Sequence, residues 1–297
     1  GPPGPSPTPD GPHRQGEPMR RFANDAEGHW YGEQRLGPTR DNLPPSEFRE
    51  LHSYTQNSWI NNFFRNENPR RLLEDITRDH DLHRHLTWIL GSNQMPAAET
   101  LHQLLRIPNL SDYHRHILSS ILSSPNPHER IREIWDHSFM YHDMWRIYGE
   151  PPTLDVLGRH IEGLDRALSR ELPERMEAIR GLRDVSFMTL PNGTQLGDRD
   201  PRELIGTTQT ESGYMSSSLG APPPPHFNNA FRMELDLPPG TRGAWMGMRS
   251  AYPDQRELIL PRGTRYQIVD VIPNPQGERY AGVQFLIRAR VIPSGSD

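Results

Sequence analysis

The chain has 297 residues, of which 33% are hydrophobic, with a formal net charge of -5 and a mean hydropathy of -0.80. That length suits one large or two ordinary domains. No apolar run reaches the length of a membrane-spanning helix, and the acidic balance gives no overall basic footprint for nucleic acid. There is no cysteine and all 33 basic residues are arginine, which excludes disulfides, thiolate nucleophiles, Cys-bound zinc, P-loop lysines and Schiff-base lysines.

Arginine-only usage has two readings. One is a GC-rich genome. The other is a protein that works in a foreign eukaryotic cytosol, where the lack of lysine avoids ubiquitin attachment.

Residues 1–20 open Gly-Pro-Pro-Gly-Pro-Ser-Pro-Thr-Pro and read as a disordered, Pro-rich leader. They have no basic n-region and no apolar h-region, so a piece of a larger polypeptide fits better than a signal peptide. Residues 21–45, with Phe22, Trp30 and Tyr31, read as an irregular segment packed by its aromatics.

Residues 46–172 read as helical. Ser46, after Pro44-Pro45, is placed to cap the first helix, and Glu47 and Glu50 suit its dipole. Phe48, Leu51, Tyr54, Thr55 and Trp59 follow at helical spacing. Further helices are predicted over 70–90, 97–105, 112–123, 128–148 and 153–168, punctuated by prolines.

Residues 173–293 change to short β-like runs over 176–180, 214–219, 231–237, 244–248, 257–260, 266–271 and 283–291. The pattern is α first and β second. It predicts an α+β fold with the sheet at the C-terminal end.

Three β-region stretches carry chemistry-bearing residues. Ile179-Arg180-Gly181 puts an arginine at a strand end, where its planar fork suits a phosphate or carboxylate. Gly213-Tyr214-Met215-Ser216-Ser217-Ser218 puts Ser216 and Ser218 on one strand face. Tyr252-Pro253-Asp254-Gln255-Arg256-Glu257 enters the run Leu258-Ile259-Leu260. Strand alternation would point Gln255 and Glu257 one way and Arg256 the other. Taken singly, Arg180 reads as a surface salt bridge, Ser216–Ser218 as a polar strand, Glu257 as a rim carboxylate and Tyr252 as a loop aromatic. Only the combination points to a site.

In that order and spacing, Arg180, the aromatic followed by three hydroxyls, and Gln255-x-Glu257 resemble the mono-ADP-ribosyltransferase toxins of the Arg-Ser-Glu class. Tyr54-Thr55 with Ile60-Asn61, expected in one helix, is similar to the family's helix beside the NAD cleft. Tyr252, Gln255 and Glu257 are spaced as in the acceptor-recognition turn of the clostridial Rho-modifying exoenzymes. Ser217 stands where threonine is usual. The helical region is longer than the family's minimal catalytic domain, so part of residues 67–148 reads as an insertion or a targeting element.

The resemblance implies a helical region packed on a mixed β-sandwich of the ADP-ribosyltransferase type, with NAD as substrate. It implies a bond from Glu257 to the ribose and stabilisation of an oxocarbenium-like sugar, as in glycoside hydrolysis. Arg180 would pair with the NAD phosphates, and Ser216 would hold the ribose or orient Glu257. Ser217, Ser218, Tyr54 and Asn61 would complete the NAD site, with Phe227 stacking on nicotinamide. Gln255 is neutral and offers a paired donor and acceptor, which suits an amide or a base edge better than a guanidinium.

The expected activity is therefore transfer of ADP-ribose to an Asn or Gln of a host protein, a Rho-type small GTPase, with Tyr252 and Gln255 facing that acceptor. A guanine acceptor and an NAD glycohydrolase are the alternatives. The implied setting is a secreted or delivered toxin domain that needs a carrier and does not itself insert into a membrane.

A separate reading starts from the histidines. Asp79-His80-Asp81-Leu82-His83-Arg84-His85, with His137, His142 and Asp143, is similar to the His-Asp metal phosphohydrolases. The expectation is a solvated polar face with no metal. Trp135, Met144 and Trp145 are expected in the core of the helical part.

Overall fold

The structure, a computed structural model, describes residues 17–220 and 230–294. It divides into two compact units: Gly1–Asn61 with His160–Asp297, and Asn62–Arg159. The helices are α1 (Asp25–Tyr31), α2 (Gly37–Asp41), α3 (Pro45–Gln56), α4 (Ile60–Phe64), α5 (Pro69–Leu90), α6 (Ala98–Leu104), α7 (Asp112–Leu122), α8 (Pro127–Tyr148) and α9 (Leu154–Ala167). The strands are β1 (Met176–Leu182), β2 (Thr208–Thr210), β3 (Met215–Ser218), β4 (Phe231–Leu237), β5 (Ala244–Trp245), β6 (Glu257–Leu260), β7 (Arg265–Pro273) and β8 (Phe285–Ile292).

In the first unit, the described strands form one eight-stranded mixed sheet in the order β2-β7-β8-β4-β1-β3-β6-β5. Only β4 and β8 run parallel. The sheet narrows to a single paired position, Ile179 with Ser218, where β1 meets β3. The strands on either side of that waist share one core. Met233, Leu235, Leu237 and Ile287 come from one part, and Met215, Trp245, Leu258 and Leu260 from the other.

Alternation explains the strands. In β4, Met233, Leu235 and Leu237 enter the core, while Arg232, Glu234 and Asp236 take the opposite face. The two carboxylates are paired: Asp236 with Arg175 at 2.6 Å, and Glu234, together with Glu177, with Arg279.

Residues 25–41, expected to be irregular, are helical, with a π segment at Gly32–Leu36 joining α1 to α2. Asn24 caps this run by accepting from the Glu27 N–H. Its glycines, which argue against a helix in isolation, allow close approach. A Cβ at Gly28 would strike the Leu219 carbonyl, and one at Gly32 the Trp245 ring. Of the expected leader, residues 1–16 lie outside the described residues. Arg20 bridges to Met176 beside β1, so Glu17–Arg20 is not a loose tail.

Other boundaries shift. Pro44, not Ser46, is the N-cap of α3. The expected strand over 244–248 stops at Trp245 and becomes a 3₁₀ turn at Gly247–Arg249.

The second unit is helical. Asn68, Ser111 and Asn126 cap α5, α7 and α8 with side-chain oxygens, and Gly91 and Gly149 close α5 and α8 in the left-handed conformation. Leu86, Leu101, Ile117, Leu118, Ile121, Ile131 and Ile134 form its core. Trp135 packs against that core and Met144 is buried, but Trp145 is exposed. No helix among the described residues is long and apolar enough to cross a membrane.

Candidate active site

Glu257 opens β6 and its side chain is buried, with 5% exposure. Its carboxylate accepts from Ser216 Oγ at 2.8 Å and from Ser250 Oγ at 3.3 Å. No cation pairs with it among the described residues. Burial pushes its pKa up, and the two hydroxyl bonds only partly offset this. A buried carboxylate without a counter-ion costs stability, and such groups cluster at functional sites.

The register explains how Ser216 arrives. β3 pairs antiparallel with β6, with Ser218 opposite Glu257 and Ser216 opposite Ile259. Ser216 therefore lies diagonally across from Glu257 on the same face. Arg180 approaches from β1, and its Nη1 donates to the Ser216 carbonyl at 2.5 Å. Arg180 is half-buried and has no carboxylate partner among the described residues. The salt-bridge reading of this arginine fails, and part of its fork stays open to an anion.

Tyr54 and Asn61 back the same group. α3 ends at Gln56 and Asn61 sits on α4, so the two are not in one helix as expected. They still meet: Asn61 Nδ2 donates to the Tyr54 hydroxyl at 3.1 Å. That hydroxyl lies 3.2 Å from Ser216 Oγ. Ser216 gives its proton to Glu257, so Tyr54 is left to donate to Ser216. The donors run from Asn61 through Tyr54 and Ser216 to the carboxylate.

Burial, followed by the nearby Glu257 charge, pushes the Tyr54 phenol up to about 12, so it stays protonated. Asn61 also locks β3 by accepting from the Tyr214 N–H at 2.8 Å. Gly213 is needed beside it, because a Cβ there would strike the Asn61 amide.

Ser217 and Ser218 do not join this chain. Ser217 Oγ donates to the Leu258 carbonyl at 2.9 Å, and Ser218 Oγ to the Gln255 carbonyl at 2.7 Å. They brace β3 against β6 and its turn. Phe227 lies outside the described residues.

The turn before β6 also departs from the strand expectation. Pro253–Gln255 is a 3₁₀ turn, and Arg256 is left-handed with φ 48°. Simple alternation therefore fails across 255–257. Gln255 is half-buried, and its side-chain amide has no hydrogen-bond partner among the described residues. Tyr252 is 53% exposed.

Sequence reasoning missed Ser250. Its hydroxyl accepts from the Tyr252 N–H at 3.0 Å as well as donating to Glu257. It also missed the bond from the Ala251 N–H to Thr55 Oγ1 at 3.0 Å. A serine seven residues before a glutamate carries no signal without the turn that folds it back.

The histidine cluster reads differently once folded. Asp79 is fully buried, and Arg130 grips both its oxygens at 2.7 and 2.8 Å while His137 Nδ1 lies 2.7 Å away. Burial pushes the Asp79 pKa up, but the Arg130 and His137 bonds more than reverse this and hold it well below the usual range. Asp79, Glu133 and His137 are the group whose ligand atoms lie near one another. A guanidinium already fills the anionic side of that group. Asp81 and Asp143 pair with Arg84 and Arg146, and His80 stacks on Tyr141. The histidines of the two His-Asp pairs do meet, His80 and His142 lying with ring centroids 4.6 Å apart, but neither Asp81 nor Asp143 joins them in a metal-spaced group among the described residues.

With this geometry in place, comparison with known proteins is informative. Residues 149–287 match the family model described as ADP-ribosyltransferase exoenzyme. Among solved structures, the chain resembles Plx2a, an ADP-ribosyltransferase toxin from Paenibacillus larvae, at 18% identity and a TM-score of 0.51, covering 91% of this chain and 98% of that one. It resembles C3stau2 from S. aureus, solved with NAD, at 16% identity and a TM-score of 0.51, covering 93% and 99%. It also resembles BECa, the ADP-ribosylating toxin of a binary enterotoxin of C. perfringens, solved with NADH, at 13% and 0.51, covering 93% of this chain but 51% of that one. No curated protein matches by sequence at a significant level.

At these identities the structural likeness is one of fold. The sequence match over residues 149–287 and the fold together make this chain an enzyme domain of the ADP-ribosyltransferase type, with NAD as the substrate.

Proposed function

We propose that this chain is a toxin-type mono-ADP-ribosyltransferase that moves ADP-ribose from NAD to a side-chain amide, Asn or Gln, of a host protein. The observation that carries this reading is the buried Glu257 carboxylate, without a cation partner among the described residues, held by Ser216 at 2.8 Å, with Arg180, which has no carboxylate partner among them, donating to the carbonyl of the same serine.

The roles follow from charge. Arg180 would bind the NAD phosphates through its open N–H groups. Glu257 would accept from a ribose hydroxyl and stabilise the positive charge that develops at the anomeric carbon as the bond to nicotinamide breaks. Nicotinamide leaves with the bonding electrons. The acceptor nitrogen forms the new bond to that carbon and gives up a proton. Ser216, Tyr54 and Asn61 would hold Glu257 in place rather than touch the reacting atoms.

The acceptor reading rests on Gln255 and Tyr252. An amide with no internal partner beside an exposed phenol offers a paired donor and acceptor and a stacking surface. That combination fits a protein amide, and the spacing favours a Rho-type small GTPase. Delivery into the target cell would need a carrier.

Incubation with labelled NAD and a eukaryotic lysate, followed by mass spectrometry of the labelled species, tests this. The expected result is ADP-ribose on an Asn or Gln of a protein of small-GTPase size. Label on nucleic acid would replace the amide acceptor by guanine. Free ADP-ribose alone would make the chain a glycohydrolase. No NAD consumption would overturn the reading.

A further inference from the structure

Between Gln255 and Glu257 stands a residue that the chemistry above does not use. Arg256 has φ 48°, and among the described residues only Asn274 is another non-glycine with positive φ. A left-handed conformation is strained for a residue with a Cβ, so something must hold it.

Three groups do. Arg256 is 1% exposed. Its Nη1 donates to Asp25 Oδ1 at 2.5 Å and to the Leu219 carbonyl at 3.1 Å. The Leu219 N–H donates back to the Arg256 carbonyl at 3.1 Å. Arg256 Nε also reaches the Asp254 carbonyl at 3.4 Å. The cradle is tight, since a Cβ on Gly220 would strike the same Nη1. Asp25, in the first turn of α1, is 231 positions away in sequence. A buried guanidinium is tolerated only when paired in this way.

This anchor sits where the geometry of the turn is decided. An extended residue at 256 would continue the strand and put the 255 and 257 side chains on one face. The left-handed residue breaks that alternation and sets the angle between them. Glu257 is held separately, by the Ser216 and Ser250 hydroxyls and by the pairing of β6 with β3.

We propose that Arg256 and Asp25 are positioning residues: their ion pair fixes Gln255 relative to Glu257 and so directs ADP-ribose to the acceptor rather than to water. This inference rests on the transferase reading given above.

The test compares the 297-residue chain with its Asp25→Ala, Asp25→Glu and Arg256→Gly variants. Glycine adopts the left-handed conformation freely, so the last variant should fold. Two rates are read: nicotinamide release from NAD in buffer, and label transferred from NAD to protein in a eukaryotic lysate. Asp25→Ala and Arg256→Gly should lower transfer about 10- to 100-fold while nicotinamide release stays near wild type, and Asp25→Glu should restore transfer.

Hydrogen exchange over residues 252–257 gives a readout that needs no acceptor. It should speed up in Asp25→Ala and Arg256→Gly but not in Asp25→Glu. Parallel loss of both rates, or unchanged exchange in Asp25→Ala, overturns the inference. Absence of nicotinamide release by the wild type sinks the transferase reading instead, and the exchange experiment still decides whether the ion pair holds the turn.

Discussion

At the scale of single residues, Glu257 carries opposing demands. Burial without a counter-ion raises its pKa. A carboxyl whose folded pKa lies above its unfolded value contributes stability below the unfolded pKa, and that contribution is lost as pH rises through the folded one. Glu257→Gln removes the buried charge; its one oxygen still accepts from one of the two serine hydroxyls, and its NH2 meets the oxygen of the other. Its melting temperature should therefore exceed wild type at neutral pH, with the gain shrinking in acid; thermal melts across pH check this. Nicotinamide release needs the carboxylate, so its acid limb should lie above the ordinary carboxylate range. Gln255→Ala should lose transfer to protein and keep NAD hydrolysis if the amide serves the acceptor as proposed. Equal loss of both rates would show that Gln255 serves the NAD step.

At the scale of elements, the helical unit is pinned at its middle by one buried charge. Asp79 on α5 reaches Arg130 and His137 on α8. Asp79→Ala leaves the Arg130 guanidinium without that carboxylate and should destabilise this unit by about 3–5 kcal/mol, measurable by urea denaturation. Much of this architecture was legible. The long helices showed in their periodicity and in the prolines that punctuate them, and the structure adds Asn68 and Asn126 as caps and Gly91 and Gly149 as stops. The run over 25–41 was not legible. Gly28, Gly32 and Gly37 lower helix propensity, and the reason for Gly28 and Gly32 lies in Leu219 and Trp245, far away in sequence.

The candidate site divides in the same way. Arg180, Ser216 and Glu257 could be picked out by residue type and spacing, and β1, β3 and β6 bring them together. Ser250, the bond from the Ala251 N–H to Thr55 and the Asp25–Arg256 pair could not, because they depend on a turn and on a left-handed residue that no periodicity encodes.

At the scale of the whole molecule, the two units should answer acid in opposite ways. In the helical unit, burial and then His142 pull His80 down to about 4, and burial and then His142 lower His83 as well. Asp79 is also depressed. Depressed groups contribute stability at neutral pH that is lost as pH falls, here from about 6.5 downward for the histidines. In the sheet unit, burial and then Glu234 push Glu177 up, as burial does Glu257, so these two favour the folded state more in acid. Hydrogen exchange corrected for intrinsic rates, compared at about pH 7 and pH 5, should show protection lost first within residues 62–159. Earlier loss in the sheet unit would contradict this assignment.

The central claim is that Glu257 is the carboxylate on which NAD cleavage depends. The most direct measurement is nicotinamide release from NAD by the wild type and by Glu257→Gln, with folding of both verified by thermal melt. The account predicts release by the wild type and a fall of about 10²–10³-fold or more in a variant that is folded and at least as stable. Equal release by the two proteins, or none by the wild type, would contradict it.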